Sequence, residues 1–438
     1  MVPPTPDHAF TSEASRALGG PSWLAERRAN AAEALSRLEW PTESEEIWRY
    51  SRIDDFDLGR YRPFTADELG DAGVEPAPGG GPFAAEAGDR AGLVVVRDGR
   101  VVHHEIDDAL AAKGVQVCEI ATCDADDVRG KLGECADASP DAFTTLHDAF
   151  MVGGAFVHVP AGVVVGQPIV IVHWAEGPGR ASFPHTLVVA DEDSEVTVLE
   201  RFASADVGER GHLVDAVVEL QVSDAARVRY LSVQEHGPHT WQIALQRAHL
   251  GRGATLRSSA VALGGDYARL RSEARLDGEG AESDLIAVYF GDGEQMLDFR
   301  TLQDHVAPRT RSDLLFKGAV EDDARSVYSG LIRLRSEAQK SNAHQTNRNL
   351  VLTEGAGAES IPNLEIEAND VRCSHASTVG PIDEDQLYYL ESRGVPPDDA
   401  ERLIVLGFFE DVLDRLPIAS LVGPLRRTVH QKVGKLHG

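Results

Sequence analysis

Cys373-Ser374-His375 puts a soft sulfur and an imidazole two positions apart, in a run of small and β-branched residues that reads as a strand. Residues i and i+2 of a strand share a face, so thiol and ring would project together. Such a pair suits iron, zinc or copper(I), and Glu365 and Glu367 on the preceding strand offer further oxygen ligands. The plainer reading is a buried Cys beside a hydrogen-bonded His. Cys118, Cys123 and Cys135 form a second group, but C-x4-C-x11-C fits no strong ligand pattern, and buried small hydrophobe is the expected role. The chain has no G-x-x-x-x-G-K-[ST] loop, so no ATPase of its own is expected, and no G-x-S-x-G, H-E-x-x-H or C-x-x-C motif. His and acids abound, but spacing nominates no general acid/base pair.

The elements that position Cys373 and His375 are strands. From 155 to about 380 the chain runs through β-branched segments such as 163–165, 169–172, 196–199, 214–222 and 228–233. Turns of a Gly, Asp or Ala followed by a small residue recur at Asp193-Ser194, Ala225-Ala226, Gly253-Ala254, Gly280-Ala281, Asp323-Ala324 and Gly357-Ala358. Their small residues lie 32, 28, 27, 43 and 34 apart. One coil of a β-solenoid recurs at a period of this order, with corners that exclude large side chains; a β-sandwich with chance turn spacing is the alternative. Asn342, Gln345, Asn347 and Asn349 suit either an amide ladder along such a solenoid or solvated turns.

Helices flank the strands. Trp23, Leu24, Ala31, Leu35 and Leu38 recur at helical spacing within 11–60, until Pro41. The segment 71–88, with three glycines at 79–81, reads as a linker. Residues 93–96, Asp98-Gly99 and 101–102 form a hairpin pattern. Past 380, Asp383-x-x-Gln386 resembles a capping box, Gly394 a helix stop and Pro396-Pro397 a restart. Leu403, Leu406, Phe409, Leu413 and Leu416 then mark an amphipathic helix. Arg426, Arg427, Lys432 and Lys435 follow without an acid, as a docking surface or a solvated basic tail. The expected organisation is a helical region at 1–90, a β-rich core at 91–380 and a helical domain at 381–438.

Composition narrows the function. The 438 residues are 42% apolar and 26% charged, a globular balance. Lys and Arg number 42 against 71 acids, a net charge of −29 that disfavours nucleic acid and anionic membrane as main partners. Four Cys exclude a disulfide scaffold and fit a reducing compartment. The opening MVPPTPDHAF has no signal-peptide pattern, so the cytoplasm is the expected location. Residues 151–175 carry no charged side chain, but Pro160, Gly162, Gly166 and Pro168 break them into buried strands rather than a membrane span.

Several motifs together resemble one family. Pro362-Asn363-Leu364-Glu365-Ile366, Val371-Arg372-Cys373-Ser374-His375-Ala376-Ser377-Thr378-Val379-Gly380 and Asp383-Glu384-Asp385-Gln386-Leu387-Tyr388-Tyr389-Leu390 are similar to the hallmark of the SufB/SufD family. Asp298-Phe299-Arg300-Thr301, His305, the run 323–330 and Ala338-Gln339 through Asn349-Leu350 add to it, as does Glu46-Ile47-Trp48-Arg49-Tyr50 near the start. The match is dense over 298–416 and sparse elsewhere. The resemblance implies a right-handed parallel β-helix between helical domains and a non-enzymatic scaffold role in iron–sulfur cluster assembly. It also implies a complex with SufB and the SufC ATPase.

No Cys precedes Pro362 within 349–361, Cys373-Ser374-His375-Ala376-Ser377 stands where SufB chains read E-H-E-A-T, and Tyr388-Tyr389-Leu390 where they read F-Y-C. These departures resemble the SufD type; Ala376-Ser377 replaces its commoner Gly-Ala. By resemblance, His375, and less directly Cys373, serve a nascent cluster at the SufB interface, with no tightly bound cofactor. Leu387, Leu390, Leu403, Leu406, Phe409 and Leu413 would dock SufC, on helices the β-rich core does not need for folding. A homodimer is expected when the chain is isolated. Two rivals are a secreted-type β-helix carbohydrate-active enzyme, which the acidity and plain N-terminus oppose, and a free-standing metal-binding protein using Cys373 and His375.

Overall fold

The structure, a computed structural model, describes residues 9–65, 68, 89–123, 125–136 and 141–433. The linker reading at 71–88 and Lys435 lie outside them. Two ten-stranded sheets face one another. From residue 154 to 380 the chain alternates between them, and successive strands within each sheet are parallel and in register. The result is a β-solenoid of about eight turns with helices at both ends of the chain.

The corner explains the repeat. Asp193, Ala225, Gly253, Gly280, Arg309 and Lys340 all have positive φ, one per coil. The next residues are Ser194, Ala226, Ala254, Ala281, Thr310 and Ser341, all buried at 0–1% exposure, and their backbones form a ladder. Ser194 accepts from Arg227 N–H, Ala226 from Thr255, Ala254 from Glu282, Ala281 from Arg311, Thr310 from Asn342 and Ser341 from Arg372, at 2.8–3.0 Å. Side chains here stack on their own kind one strand spacing away, so only small ones fit. The 43-residue gap in the sequence pattern is a change of corner. Ala324 belongs to the other sheet's ladder, where Gly357 N–H donates to its carbonyl. The true successors, Thr310 and Ser341, follow Arg309 and Lys340 and so carry no Gly/Asp/Ala signal.

Inside the tube, Val94, Ile171, Val198, Val228, Leu256 and Leu276 belong to a continuous apolar cluster. Each such side chain contributes about 1.5–3 kcal/mol by leaving water. The hairpin expected at Asp98-Gly99 is present: Gly92–Arg97 and Arg100–Ile106 pair antiparallel, with φ of +48° and +86° at the turn. The uncharged stretch 151–175 supplies the buried strands Gly154–Val159 and Ile169–Ala175. No helix among the described residues is long and apolar enough to cross a membrane.

The N-terminal segment covers the outer face of one sheet. It is less helical than expected: Ser12–Ala17 and Ser22–Leu35 are helices, and three short 3₁₀ turns follow over 46–60. The second helix stops before Leu38, which is exposed. Trp48, Phe56 and Phe143 instead pack beside Trp241 and Tyr267 of the sheet. The C-terminal helices Glu384–Ser392, Pro397–Leu413 and Ala419–Val433 lie towards the other sheet. Val405, Phe409, Leu413, Leu421, Leu425 and Val429 form one cluster with Leu231, Val233, Val261, Ile286, Val288 and Phe290. The core therefore does not stand free of these helices, because they cover an apolar sheet face that water would otherwise meet. The basic residues of the last helix are also engaged: Lys432 pairs with Asp292 at 2.8 Å and Arg426 with Glu410 and Asp414.

Candidate functional site

The last coil consists of Gly357–Ile366 on one sheet and Arg372–Gly380 on the other, and each is the terminal strand of its sheet. Its register assigns the site. Cys373 lies beside Ala343, His375 beside Gln345 and Ser377 beside Asn347. Ala343, Gln345 and Asn347 are each 1% exposed and face the interior. Cys373, His375 and Ser377 continue those rows at the open mouth of the tube, so thiol and imidazole share one face. Cys373 is half-buried against Ile332, Leu334 and Leu364; His375 is exposed. Burial pushes the Cys373 thiol up from its ordinary value, so it is protonated at neutral pH until a metal or cationic partner arrives.

Glu365 and Glu367 do not join this pair. Glu365 lies one residue from the interior-facing Leu364 and pairs with Arg333 at 2.7 Å, while Glu367 is exposed beyond the strand's end. Ser374 points to the opposite face from Cys373, where its hydroxyl meets His344 Nδ1 at 2.8 Å. Among the described residues no three His, Cys, Asp or Glu side chains are grouped to hold a metal ion. Cys373 and His375 amount to two donors, half of a tetrahedral set.

Behind the mouth the interior is polar. Tyr289 Oη donates to Asn349 Oδ1 at 2.5 Å and accepts from Asn347 Nδ2 at 3.0 Å, and Asn349 Nδ2 donates to Asn347 Oδ1 at 2.7 Å. Tyr328 Oη meets Gln345 Oε1 at 3.1 Å, and Gln345 Nε2 reaches the Asn363 carbonyl. The amide residues thus form buried rungs; only Asn342 is exposed. Gly318 makes room for this network, since a Cβ there would stand 1.8 Å from the Tyr289 ring.

A second surface lies on the C-terminal helices. Asp383 accepts from the backbone N–H of Asp385 and Gln386, and Gly394 ends the helix at φ +84°. Tyr388, Tyr389 and Leu403 are exposed at 73%, 57% and 53%, with Leu387, Leu390 and Leu406 half-buried. Phe409 and Leu413 are fully buried against the solenoid and offer nothing to a partner in this conformation.

Two features were not read from spacing. Cys118 and Cys123 form a disulfide, so neither is the free buried hydrophobe expected; Cys135 is, with 0% exposure. The second is a buried hub at Asp298. It accepts from Tyr267 Oη at 2.8 Å, Arg300 Nε at 2.7 Å and Arg269. Burial pushes its carboxyl up, but Arg269 and Arg300 outweigh that and hold it below the ordinary value. The same arginines donate to the carbonyls of Ile47 and Arg49 at 2.7 Å, and Arg269 lies 3.8 Å over the Trp48 ring. The motifs at 46–50 and 298–301, which sequence leaves 250 residues apart, are one contact; their joint similarity to a family was its only sequence signal.

A family profile described as "SUF system FeS cluster assembly, SufBD core domain" matches residues 173–408. An iron–sulfur cluster assembly SufBD family protein of Mycobacterium tuberculosis is 35% identical over 64% of this chain and 70% of its own length. The iron–sulfur cluster assembly protein SufD of Bacillus subtilis is 32% identical over 78% of this chain and 79% of its own. That of Escherichia coli is 28% identical over 87% and 86%.

Proposed function

Since the chain belongs to the SufBD family of the SUF iron–sulfur cluster assembly system, we propose that it is the SufD-type scaffold subunit, without catalysis of its own. It pairs through the last coil with a SufB-type chain, and a nascent cluster is the cargo of that interface. The observation that carries this reading is the open mouth holding Cys373 and His375 together. Two donors from this chain need others from a partner, and the mouth is where a partner sheet edge would bring them. His375 ligates iron or moves a proton, and Cys373 acts as the secondary donor. The SufC-type ATPase docks on the exposed Tyr388, Tyr389 and Leu403 face, and its hydrolysis supplies the motion that rearranges the interface. Alone, the chain closes its own edge by forming a two-fold homodimer. The site of this work is the cytoplasm.

The test is His375→Ala in a complex reconstituted with SufB and SufC. Cluster yield, read by iron and acid-labile sulfide per complex, should fall at least several-fold, while complex formation and thermal midpoint stay unchanged. Wild-type yield from the variant would remove His375 from the mechanism. Light scattering on the isolated chain checks the edge: a strict monomer at tens of micromolar would count against pairing through the last coil.

A further inference from the structure

Cys118 and Cys123 sit at the opposite end of the solenoid from Cys373 and His375. Cys118 is in the strand Gln116–Glu119, which pairs antiparallel with Gly154–Val159 and is the last strand of its sheet at that end. The chain turns immediately afterwards. The Glu119 carbonyl accepts from the N–H groups of Thr122 and Cys123, at 3.0 and 2.9 Å. That turn brings the two Cα atoms to 6.2 Å, and a disulfide joins them.

Downstream, a different device takes over. The N–H groups of Gly133, Cys135 and Ala136 donate to the buried Glu219 carboxylate at 2.7–3.1 Å. Arg247 donates to the carbonyls of Cys135 and Ala136. The helix Ala125–Arg129 therefore lies between a covalent turn and a charged latch. Only the first of these responds to thiols. Cys135 is sealed, and burial pushes its thiol far above the ordinary value.

Three properties distinguish the pair from a structural staple. The turn has backbone hydrogen bonds of its own, so opening the sulfur bond loosens it without abolishing it. The bond spans five positions of sequence and cross-links no distant elements, so opening it leaves the solenoid intact. Both half-cystines are only half-buried, within reach of a small thiol. We infer that Cys118 and Cys123 form a reversible thiol–disulfide switch that tightens or loosens the segment following the terminal strand Gln116–Glu119, which packs beside the N-terminal helices on the outer face of its sheet.

Closure is a two-step exchange with a low-molecular-weight disulfide. One thiolate of the pair attacks that disulfide and displaces one thiolate of the small molecule. The second thiolate then attacks the mixed disulfide and displaces the other. The pair loses two protons and two electrons, and one small disulfide becomes two thiols. A reducing thiol pool opens the pair; an oxidising one closes it. This inference does not depend on the proposed assembly role.

The experiment equilibrates the full chain in glutathione buffers, from fully reduced to fully oxidised. Acid quenching, alkylation with N-ethylmaleimide and peptide mass analysis follow. The peptide holding Cys118 and Cys123 should pass from two alkyl groups to none in one two-electron transition. In the open state, amide hydrogen exchange should quicken about tenfold over 119–123 and 127–132 and stay unchanged over 133–136, with the fold retained by circular dichroism. The Cys118→Ser/Cys123→Ser double variant should show the open pattern in every buffer. A pair alkylated at all potentials overturns the switch. So does a bond that reduced glutathione opens only when the chain unfolds, or an exchange pattern indifferent to the redox state.

Discussion

At its first coils the solenoid ends in two antiparallel strands, Arg100–Ile106 on one sheet and Gln116–Glu119 on the other. At its last coil it ends in two parallel strands, Gly357–Ile366 and Arg372–Gly380. Both ends face the same problem, since a terminal strand presents unpaired backbone N–H and C=O groups and bares the tube's interior. The first end is finished within the chain. Val101, Ile106 and Leu110 pack over the interior cluster, and Cys118–Cys123 ties down the turn that follows. The last end is left open, with Ile366 and Val379 exposed at 46% and 42% and His375 exposed as well. The difference teaches that this solenoid finishes one edge within its own chain and leaves the other bare, as the proposed pairing with another chain requires. Substitutions in the sealed coils should then cost stability, and those in the last coil association and assembly.

The largest expected effect comes from removing a cover. Deleting residues 382–438 bares Leu231, Val233, Val261, Ile286, Val288 and Phe290. The truncated chain should aggregate or bind a hydrophobic dye strongly. A soluble, cooperatively melting product would show that the sheet needs no cover. Next comes Asp298→Ala, which strands two buried guanidinium groups, Arg269 at 3% and Arg300 at 4% exposure. It should destabilise by about 3–5 kcal/mol in urea unfolding. His375→Ala at the open mouth should stay within about 0.5 kcal/mol of wild type. Equal costs at the two places would erase the distinction between sealed and open coils.

Acid should act on the sealed part as well. Burial lowers His236 from 6.5 to about 3, with His212 and His173 adding to the shift, and burial lowers His305 to about 4. These rings stay neutral when folded, while the unfolded chain binds protons below pH 6.5. Stability should hold above that pH and fall as pH drops from about 6.5 towards 3. His236→Gln should flatten part of the slope in a pH series of thermal midpoints; an unchanged slope would place its origin elsewhere. The smallest effect concerns the corner. Ala225 has φ +58°, which costs an L-residue but not glycine. Ala225→Gly should gain about 0.5 kcal/mol in urea unfolding, and a loss would mean the corner tolerates a Cβ without strain.

Much of this architecture was legible because a solenoid repeats a local rule. Each coil needs a left-handed residue and then a small one, and Asp193-Ser194 through Gly280-Ala281 state that rule openly. The rule became illegible at Arg309-Thr310 and Lys340-Ser341, where neighbouring coils hold a residue in a conformation its own type does not favour. The shared face of Cys373 and His375 was readable from strand periodicity alone. That Glu365 turns away to Arg333 was not, because it depends on the register of a different strand.

The alternation of side chains, the turn residues and the helical spacings are properties of adjacent residues. They determined that this chain would be strand-rich, coiled and flanked by helices. Which surface each apolar stripe meets is a property of distant ones. Phe409 and Leu413 form the same stripe whether they face a partner or their own sheet, and only the packed structure turns them inward. In the same way, only folding brings Glu46–Trp48 to the Asp298 hub, closes one end of the tube and leaves the other open. The physical reason is that burial and edge pairing depend on what is near in space, and a linear pattern specifies only what is near along the chain.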